Sequence, residues 1–329
     1  MKLVVDQKIF EYTPEIDKKI GPAVAGVLHT EVFEVVRIEK GVVNHVYKIA
    51  TSAGPVIARV FSRKGWPEEQ KLQWIESQLS AHDIPHAKLR YISRHVTHFP
   101  YGFMVVEYID GQDGWEAIQS GTTDGEVYFD QLGTLLRSVH NIGILQFGQV
   151  AHGKGTHVEL CAYLQERIEE DIVQLRTIPE LPASLIDAVV HTFQSACSQY
   201  MHQMRPVLTH GDPSPHNTRL TPDKKVVLVD WDNAEASSFL RDIAALTYEG
   251  VHMDHAGDLD RLKLQWQSAF WKGYGTIDIS TSIREEIIRM FHIIQAARLL
   301  TFYAFRKRDP KNYRMTLTLL QRLLQVTSL

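Results

Sequence analysis

Between Phe33 and Phe61, apolar and polar residues alternate in short runs, which is typical of half-buried strands. Turns are predicted at Gly41 and at the Ser-Ala-Gly-Pro run of residues 52–55. A separate, strongly apolar run that ends at Asp110-Gly111 predicts a further strand. The pattern therefore indicates a small antiparallel meander of Val35–Ile38, Val46–Ile49 and Val56–Val60, followed later by the strand Phe103–Ile109.

Helical spacing dominates the rest of the chain. Glu68–Ala81 contains no Pro or Gly and predicts a helix between the strands. After residue 110, the apolar positions before His140 lie on one helix face, and Ser282 with Glu285 predicts a capping box that starts another long helix. We therefore expect two lobes, one over residues 1–110 and a mainly helical one over residues 111–329.

Length and composition agree with a two-lobed globular protein. The 329 residues exceed the usual size of one core, and 44% apolar with 22% charged residues is an ordinary globular composition. A net charge of -4 gives no reason to expect a nucleic-acid or membrane partner. Cys161 and Cys197 have neither metal-ligand spacing nor the density of a disulfide scaffold, so we expect them to be reduced in a cytoplasmic protein without export or membrane-spanning segments.

The candidate chemistry is concentrated in an island of strand and loop, residues 207–230. Asp212 and Asn217 lie in a Pro-rich loop, and Asp230 ends an apolar strand that a hairpin would return beside them. Carboxylate and amide oxygens suit Mg²⁺, and phosphoryl transfer needs such a metal together with a carboxylate that orients the attacking hydroxyl. Taken alone, Asp212 or Asn217 would be interpreted as a turn residue whose side chain bonds its own backbone. Together with Asp230, the two indicate phosphoryl transfer.

The string His210-Gly211-Asp212, then Asn217, then Asp230-Trp231-Asp232 resembles the catalytic and metal-binding motifs of the aminoglycoside phosphotransferase family. Choline kinase and hygromycin phosphotransferase are related to that family. The resemblance implies an α+β, protein-kinase-like two-lobed fold with a small antiparallel-sheet N-lobe and a helical C-lobe. It also implies that Asp212 is the catalytic base and that Asn217 and Asp230 hold Mg²⁺.

The resemblance extends to the nucleotide, which would be ATP or GTP. A hairpin with Gly41 and Asn44 resembles the loop that covers the phosphates, and Arg59 stands where the family carries a phosphate-contacting cation. Glu76, or alternatively Glu69, would pair with that cation. The hinge that binds the purine edge would be Glu107, Tyr108 and Ile109.

Further residues follow from the same resemblance. Asp242 would support the catalytic loop from behind, and His210 would be a buried residue that fixes the loop. Candidate contacts to a cationic acceptor are Asp232, Glu235 and Glu249.

Three hypotheses remain open at this stage. The first is an ATP-dependent kinase that phosphorylates a hydroxyl of an aminoglycoside-like antibiotic, hence antibiotic resistance, or of a metabolite. The second is a metabolic kinase of the choline, homoserine or sugar type. The third is a nucleotide-binding pseudokinase, which the presence of Asp212, Asn217 and Asp230 disfavours.

Overall fold

The computed structural model describes residues 10–39, 44–150, 152–248 and 259–325. These residues form two compact units. The N-terminal unit runs up to residue 122 and also contains residues 215–233. The helical unit contains residues 123–214 and the chain from residue 234 onward. Sheet and helices together give the expected α+β fold class.

A five-stranded antiparallel sheet forms the body of the N-terminal unit, in the order β1-β2-β3-β5-β4. The predicted meander is confirmed, since β1, β2 and β3 pair antiparallel in chain order. Consecutive strands of alternating apolar and polar residues pair in this way when short turns join them. The predicted strand at Phe103 is confirmed and ends at Glu107. The strands are β1 (Val32–Ile38), β2 (His45–Thr51), β3 (Val56–Val60), β4 (Leu89–Ser93) and β5 (Phe103–Glu107).

Two helices accompany this sheet. Helix α1 (Pro14–Leu28), which the sequence analysis did not predict, buries Ile16, Ile20 and Val24 in the core beneath the sheet. Helix α2 (Glu69–Ala81) is the predicted one, and its apolar face is buried. Helix α1 lies against β1, so the residues that precede the sheet in the chain belong to the same hydrophobic core.

Residues 215–233 join the N-terminal unit through a second, three-stranded sheet of β6 (Gln112–Asp113), β8 (Thr218–Leu220) and β9 (Val226–Leu228). At Gly111, φ is +144°, and a Cβ there would lie 2.3 Å from the carbonyl oxygen of Leu220. Only glycine permits this approach. The pairing places residues 111–122 in the N-terminal unit, which differs from the predicted boundary after residue 110. Helix α3 (Gly114–Gln119) follows β6 directly.

The helical unit contains one short strand pair, β7 (Val207–Thr209) with β10 (Glu235–Ser237), among its helices. Helix α4 buries the predicted apolar face before His140. Helix α9 begins two residues earlier than predicted. The hydroxyl oxygen of Ser280 accepts from the N–H of Ile283, so Ser280, not Ser282, is the cap. The helices are α4 (Gly125–His140), α5 (Leu160–Leu175), α6 (Ala183–Gln199), α7 (Leu240–Thr247), α8 (Leu259–Tyr274), α9 (Thr281–Thr301) and α10 (Pro310–Gln325).

The expectation of reduced cysteines is corrected by the packing of α5 and α6. Cys161 and Cys197 form a disulfide with their Cα atoms 5.7 Å apart. They are separated by 36 residues in sequence and come together only because the two helices pack on each other, which residue spacing cannot show. Across the described ranges, none of the helices is long and apolar enough to cross a bilayer.

Candidate active site

The hairpin β8–β9 brings Asn217 and Asp230 to one end of the three-stranded sheet. Thr218 pairs with Leu228, and the N–H of Val229 donates to the carbonyl oxygen of Asn217 at 2.9 Å. Asn217 directly precedes β8, and Asp230 follows β9 after one intervening residue, Val229. The predicted return of Asp230 to the neighbourhood of Asn217 is thus confirmed.

Asp230 combines exposure with backbone strain. Its side chain is 43% exposed, and its φ of +68° is the left-handed conformation that non-glycine residues rarely adopt. Such strain persists where the surrounding fold enforces it, and it is concentrated at functional sites. The conformation presents a carboxylate to solvent at the end of an otherwise buried strand.

Arg59 on β3 binds two carboxylates of the Asp230-Trp231-Asp232 segment. Its Nη1 lies 3.1 Å from Asp230 and 3.1 Å from Asp232, and its Nη2 lies 2.6 Å from Asp232. The Arg59 side chain is 12% exposed and that of Asp232 only 2%. Two parallel bonds to Asp232 make this a charge-assisted, bidentate pair.

The predicted partners of Arg59 on α2 are wrong. Glu76 instead contacts His86 at 3.0 Å and accepts from the N–H of Leu89 at 2.8 Å. Glu69 accepts from the N–H of Arg94 at 3.1 Å. Helix α2 therefore uses its two glutamates to hold the chain around β4, while Arg59 pairs with residues more than 170 positions further on.

Lys71 is a residue that the sequence analysis missed. It is 1% exposed on the buried face of α2, and its Nζ donates to the carbonyl oxygen of Asp232 at 2.7 Å. The signal was available, because Lys71 lies one turn before Ile75 on the apolar face, where a lysine is costly unless it is paired. Lys71 and Arg59 together surround Asp232 with positive charge.

Asn44 is also directed into this cluster. Its amide Nδ2 lies 3.5 Å from the Asp232 carboxylate, and its Oδ1 accepts from the N–H of Ser62 at 3.3 Å. The Asn44 side chain therefore forms its hydrogen bonds within the protein. Gly41, the other residue predicted to cover the phosphates, lies outside the described residues.

Burial raises the pKa of Asp232, and the nearby charge of Asp230 acts in the same direction, whereas Arg59 opposes the shift. The two short bonds to Arg59 keep Asp232 ionised at neutral pH. Asp232 is therefore the structural partner of Arg59, which corrects its predicted contact with the acceptor.

The donor set at Asn217 and Asp230 fits Mg²⁺. This ion is usually held by one or two carboxylates and by water and phosphate oxygens, not by a complete protein cage. The solvent-facing carboxylate of Asp230 and the half-buried amide of Asn217 match that requirement. In the described part of the chain, no group of three or more His, Cys, Asp or Glu side chains forms a metal cage.

The predicted hinge follows β5. The N–H of Glu107 donates to Lys88 at 2.9 Å, and that of Tyr108 donates to Pro55 at 3.4 Å. Across the described ranges, Ile109 forms no hydrogen bond, and it is half-buried. The N–H groups of Glu107 and Tyr108 are thus used inside the fold, whereas both main-chain groups of Ile109 are available to a purine edge.

In the helical unit, a buried carboxylate holds the loop that presents Asp212. Asp242 is 0% exposed and accepts from the N–H groups of His210 and Gly211, both at 2.7 Å. Gly211 has φ of +86°, which a glycine adopts without strain. The predicted support of the Asp212 loop by Asp242 is confirmed.

His140 completes this brace. Its Nε2 lies 3.0 Å from Asp242, and its Nδ1 lies 2.9 Å from the hydroxyl of Tyr274. Burial alone would raise the pKa of Asp242, but the hydrogen bond and charge of His140 hold it below its usual value. His210 is fully buried as predicted, and its Nδ1 accepts from the N–H of Asp212 at 3.3 Å. The half-buried Asp212 thus follows a loop fixed by buried groups.

Glu235 is not open to an acceptor. It is 1% exposed and is bonded to Arg167 at 2.5 Å, to Arg241 at 2.8 Å and to the hydroxyl of Tyr163 at 2.6 Å. Its predicted contact with a cationic acceptor is therefore corrected, as for Asp232. Glu249, the third such candidate, lies outside the described residues.

Comparisons with known proteins agree with this arrangement. A family model described as a phosphotransferase enzyme family matches residues 34–277. No match was found among curated proteins.

Three solved structures are similar over nearly their full length. A thermostable mutant of aminoglycoside phosphotransferase APH(4)-Ia, in a ternary complex with ADP and hygromycin B, has a TM-score of 0.72 and 8% identity over 94% of this chain and 99% of its own. Choline kinase LicA from Streptococcus pneumoniae has a TM-score of 0.66 and 17% identity, and the match covers 95% of this chain and 99% of LicA. Macrolide 2'-phosphotransferase MphH from Brachybacterium faecium has a TM-score of 0.59 and 14% identity, and the match covers 92% of this chain and 97% of MphH. At such identities the likeness shows the fold.

Proposed function

The chain belongs to the phosphotransferase enzyme family, and from that premise we propose that it transfers the terminal phosphoryl group of ATP or GTP to a hydroxyl of a small metabolite. The observation that carries this proposal is the braced loop of Asp212. A half-buried carboxylate follows a backbone segment that the fully buried Asp242 holds by two N–H groups. Such preorganisation is what positioning catalysis requires.

Asp212 is the general base in this proposal. Its carboxylate takes the proton of the acceptor hydroxyl as that oxygen bonds to the terminal phosphorus, while the bond from phosphorus to the nucleoside diphosphate breaks. Phosphoryl transfer depends mainly on the positioning of the reactants and on charge stabilisation. A carboxylate in a fixed position is therefore all that the protein needs to provide next to the acceptor hydroxyl.

Asn217 and Asp230 would hold Mg²⁺. When bound, the ion neutralises charge on the phosphate oxygens. Arg59, which now contacts Asp230, is the proposed phosphate-contacting cation of the nucleotide side. The main chain at Ile109 is the proposed contact for the purine edge.

We favour a metabolite over a polycationic antibiotic as the acceptor. The case for a cationic acceptor depended on acidic side chains, and two of these, Asp232 and Glu235, are buried and bonded to arginines. A carboxylate that is already neutralised inside the fold offers little attraction to a cation.

The test is Mg²⁺-dependent phosphate transfer from ATP and GTP to a panel of aminoglycosides, choline, amino-alcohols, sugars, sugar acids and sugar phosphates. Asp212→Asn should slow the transfer by a factor on the order of 10² or more. Asp223→Asn is the matched control, because Asp223 is an exposed aspartate in the β8–β9 turn that pairs with Lys225. Transfer that is unchanged in Asp212→Asn would overturn the proposal. The proposal would also be overturned if no acceptor in the panel received phosphate in a reaction that depends on Asp212.

A further inference from the structure

The residues just before helix α1 are bonded to the end of the five-stranded sheet that lies next to Asn44. Phe10 precedes the helix by four residues and uses both of its main-chain groups there. Its N–H donates to the carbonyl oxygen of Ser62 at 2.8 Å, and its carbonyl oxygen lies 3.0 Å from Nε2 of His45. Because a carbonyl oxygen can only accept, His45 is the donor of this bond and carries a proton on Nε2.

The two partners of Phe10 stand on either side of Asn44. His45 is the first residue of β2 and directly follows Asn44 in the chain. Ser62, two residues after the end of β3, donates its N–H to Oδ1 of Asn44 at 3.3 Å. His45 and Val60 form the last pair in the β2–β3 register at this end, so the bonds of Phe10 continue the hydrogen bonding beyond the strands. The main chain of Phe10 thus connects the two residues that flank Asn44.

Further contacts fix the same segment to β1 and β2. The hydroxyl of Tyr12 donates to the Asp17 carboxylate at 2.5 Å, and the hydroxyl of Tyr47 donates to the other oxygen of that carboxylate at 2.8 Å. The guanidinium of Arg37 lies 3.4 Å from the centre of the Tyr12 ring, which is a cation–π contact. Arg37 and Tyr47 are opposite each other in the β1–β2 register. Phe10, Tyr12 and Asp17, together the N-terminal clasp, therefore hold all three strands of the meander near Asn44.

His45 is the side chain through which the clasp contacts the start of β2. It is half-buried, and its ring centroid lies 5.9 Å from that of Phe10 and 5.9 Å from that of Tyr12. Two neighbouring aromatic rings and one hydrogen bond restrict the orientation of the imidazole. The residue after Asn44 is therefore fixed by its side chain as well as by the strand.

Asn44 connects the clasp with the cluster that we assign to the nucleotide phosphates. Its Nδ2 lies 3.5 Å from Oδ2 of Asp232, the same oxygen to which Nη2 of Arg59 donates at 2.6 Å. Asn44 was predicted to cover the phosphates, and Arg59 is the proposed phosphate-contacting cation. A series of hydrogen bonds thus runs from Phe10 through Ser62 and Asn44 to the carboxylate that orients Arg59.

We propose that Phe10 and His45 are positioning residues for the nucleotide phosphates, and that they act through Asn44. This inference rests on the proposed function, because it adds residues to the nucleotide side of that same site. Groups that are held in place before a ligand arrives do not have to be ordered when it binds, which is the origin of the expected gain in affinity.

The proposed role predicts a dependence on the number of phosphates. The purine contact is assigned to Ile109, whereas the clasp acts on the cluster of Arg59. Loss of the clasp should therefore weaken the binding of a nucleoside triphosphate and leave that of the nucleoside unchanged. A residue that only stabilised the fold would affect both ligands equally.

Nucleotides that differ in phosphate number test this dependence without any turnover. Adenosine, AMP, ADP and a non-hydrolysable ATP analogue, and their guanine counterparts, are titrated by calorimetry in the presence of Mg²⁺, the nucleosides by competition against the diphosphate. We expect His45→Leu to weaken the binding of the triphosphate analogue by about 3- to 10-fold, the scale of one net hydrogen bond. His45→Gln should retain the affinity, because its amide can donate to the same carbonyl oxygen. His98→Leu is the matched control, because His98 is an exposed histidine of the same unit.

A double-mutant cycle tests the route through Asn44. The affinity for the triphosphate analogue is measured for Asn44→Ala, for His45→Leu and for the two substitutions combined. If His45 acts through Asn44, the double variant should bind no more weakly than Asn44→Ala alone. Additive losses would show that His45 acts by another route and would overturn the inference.

Thermal unfolding and turnover separate positioning from a structural role. A lower Tm of His45→Leu together with an equal loss of affinity for nucleoside and triphosphate analogue would identify a structural histidine and overturn the inference. In turnover, the nucleotide KM should rise in His45→Leu while the acceptor KM stays unchanged. An unchanged nucleotide KM overturns the inference and leaves Asp212-dependent transfer, and with it the proposed function, standing. Failure of the wild type to bind any of the nucleotides would overturn the proposed function and this inference with it.

Discussion

Two arginine–carboxylate clusters, one in each unit, differ in how far their carboxylates are exposed. In the N-terminal unit, Arg59 serves two carboxylates, and that of Asp230 remains 43% exposed. In the helical unit, Glu235 serves two arginines, Arg167 and Arg241, and is itself 1% exposed. The first arrangement leaves one carboxylate, that of Asp230, open to solvent, which suits a cation such as Mg²⁺. The second leaves no such group at Glu235, whose carboxylate is enclosed by its two arginines.

The difference also shows how buried charge is used. Asp232 and Glu235, the central carboxylates of the two clusters, are nearly inaccessible and are matched to guanidinium groups. Such pairs contribute little net stability but are expensive to break from one side. Asp230 is the exposed carboxylate beside these pairs, and it is the one that we assign to a ligand, Mg²⁺.

The largest effect should come from removing Glu235. Glu235→Ala leaves Arg167 and Arg241 without the buried carboxylate that they share, so the free energy of unfolding should fall by about 3–5 kcal/mol. Urea denaturation of wild type, Glu235→Ala and the exposed control Asp223→Ala measures this. A loss no greater than that of the control would show that the helical cluster is not held together by Glu235.

Removing Arg59 should have a smaller effect. Arg59→Met leaves Asp232 buried without its bidentate partner, but Lys71 and Asn44 remain near it, so we expect a loss of about 2–4 kcal/mol in the free energy of unfolding. The double variant Arg59→Met with Asp232→Leu should recover much of that loss, because it removes both charges together. If the double variant is no more stable than the single one, the pair is not the source of the effect.

Asp230→Ala should barely change stability, because a half-exposed ion pair contributes only about 0–1 kcal/mol. It should nevertheless abolish Mg²⁺-dependent nucleotide binding, measured by calorimetry with and without the metal. An unchanged metal dependence would remove Asp230 from the proposed magnesium site.

The smallest effect belongs to the Glu76–His86 pair, which lies outside both clusters. Burial alone would lower the pKa of His86, but the bond to Glu76 and the carbonyl of Ile84 raise it. A raised pKa contributes stability that is complete below the unfolded value of about 6.5 and is lost as the pH rises through the folded value. His86→Gln should therefore cost about 1 kcal/mol at pH 6 and less at pH 8, and equal costs at both pH values would refute the ion pair.

The elements that the sequence predicted correctly are those set by local pattern. Alternation over Val46–Ile49 and Val56–Val60 marks strands, because neighbours in a meander are joined by short turns. Asn217 and Asp230 came together for the same reason, since one hairpin joins them. Asp242 was predicted from a motif that includes its own helix.

Pairings over long sequence separations were not predictable in the same way. Arg59 pairs with Asp232 across 173 positions, whereas the nearby Glu76 was expected. The disulfide between Cys161 and Cys197 likewise depends on how α5 and α6 pack. Asp232 and Glu235 were predicted to face a substrate because they are acidic and close to the motif, but sequence proximity carries no information about which side chains the fold neutralises.

The most direct test of the central claim is the rate of phosphoryl transfer in a single turnover by wild type and Asp212→Asn, with nucleotide binding measured on the same samples. Asp212→Asn should bind Mg²⁺ and nucleotide as wild type does and transfer the phosphoryl group slower by a factor on the order of 10² or more, the scale of lost general-base catalysis. Equal rates in the two proteins would contradict Asp212 as the catalytic base.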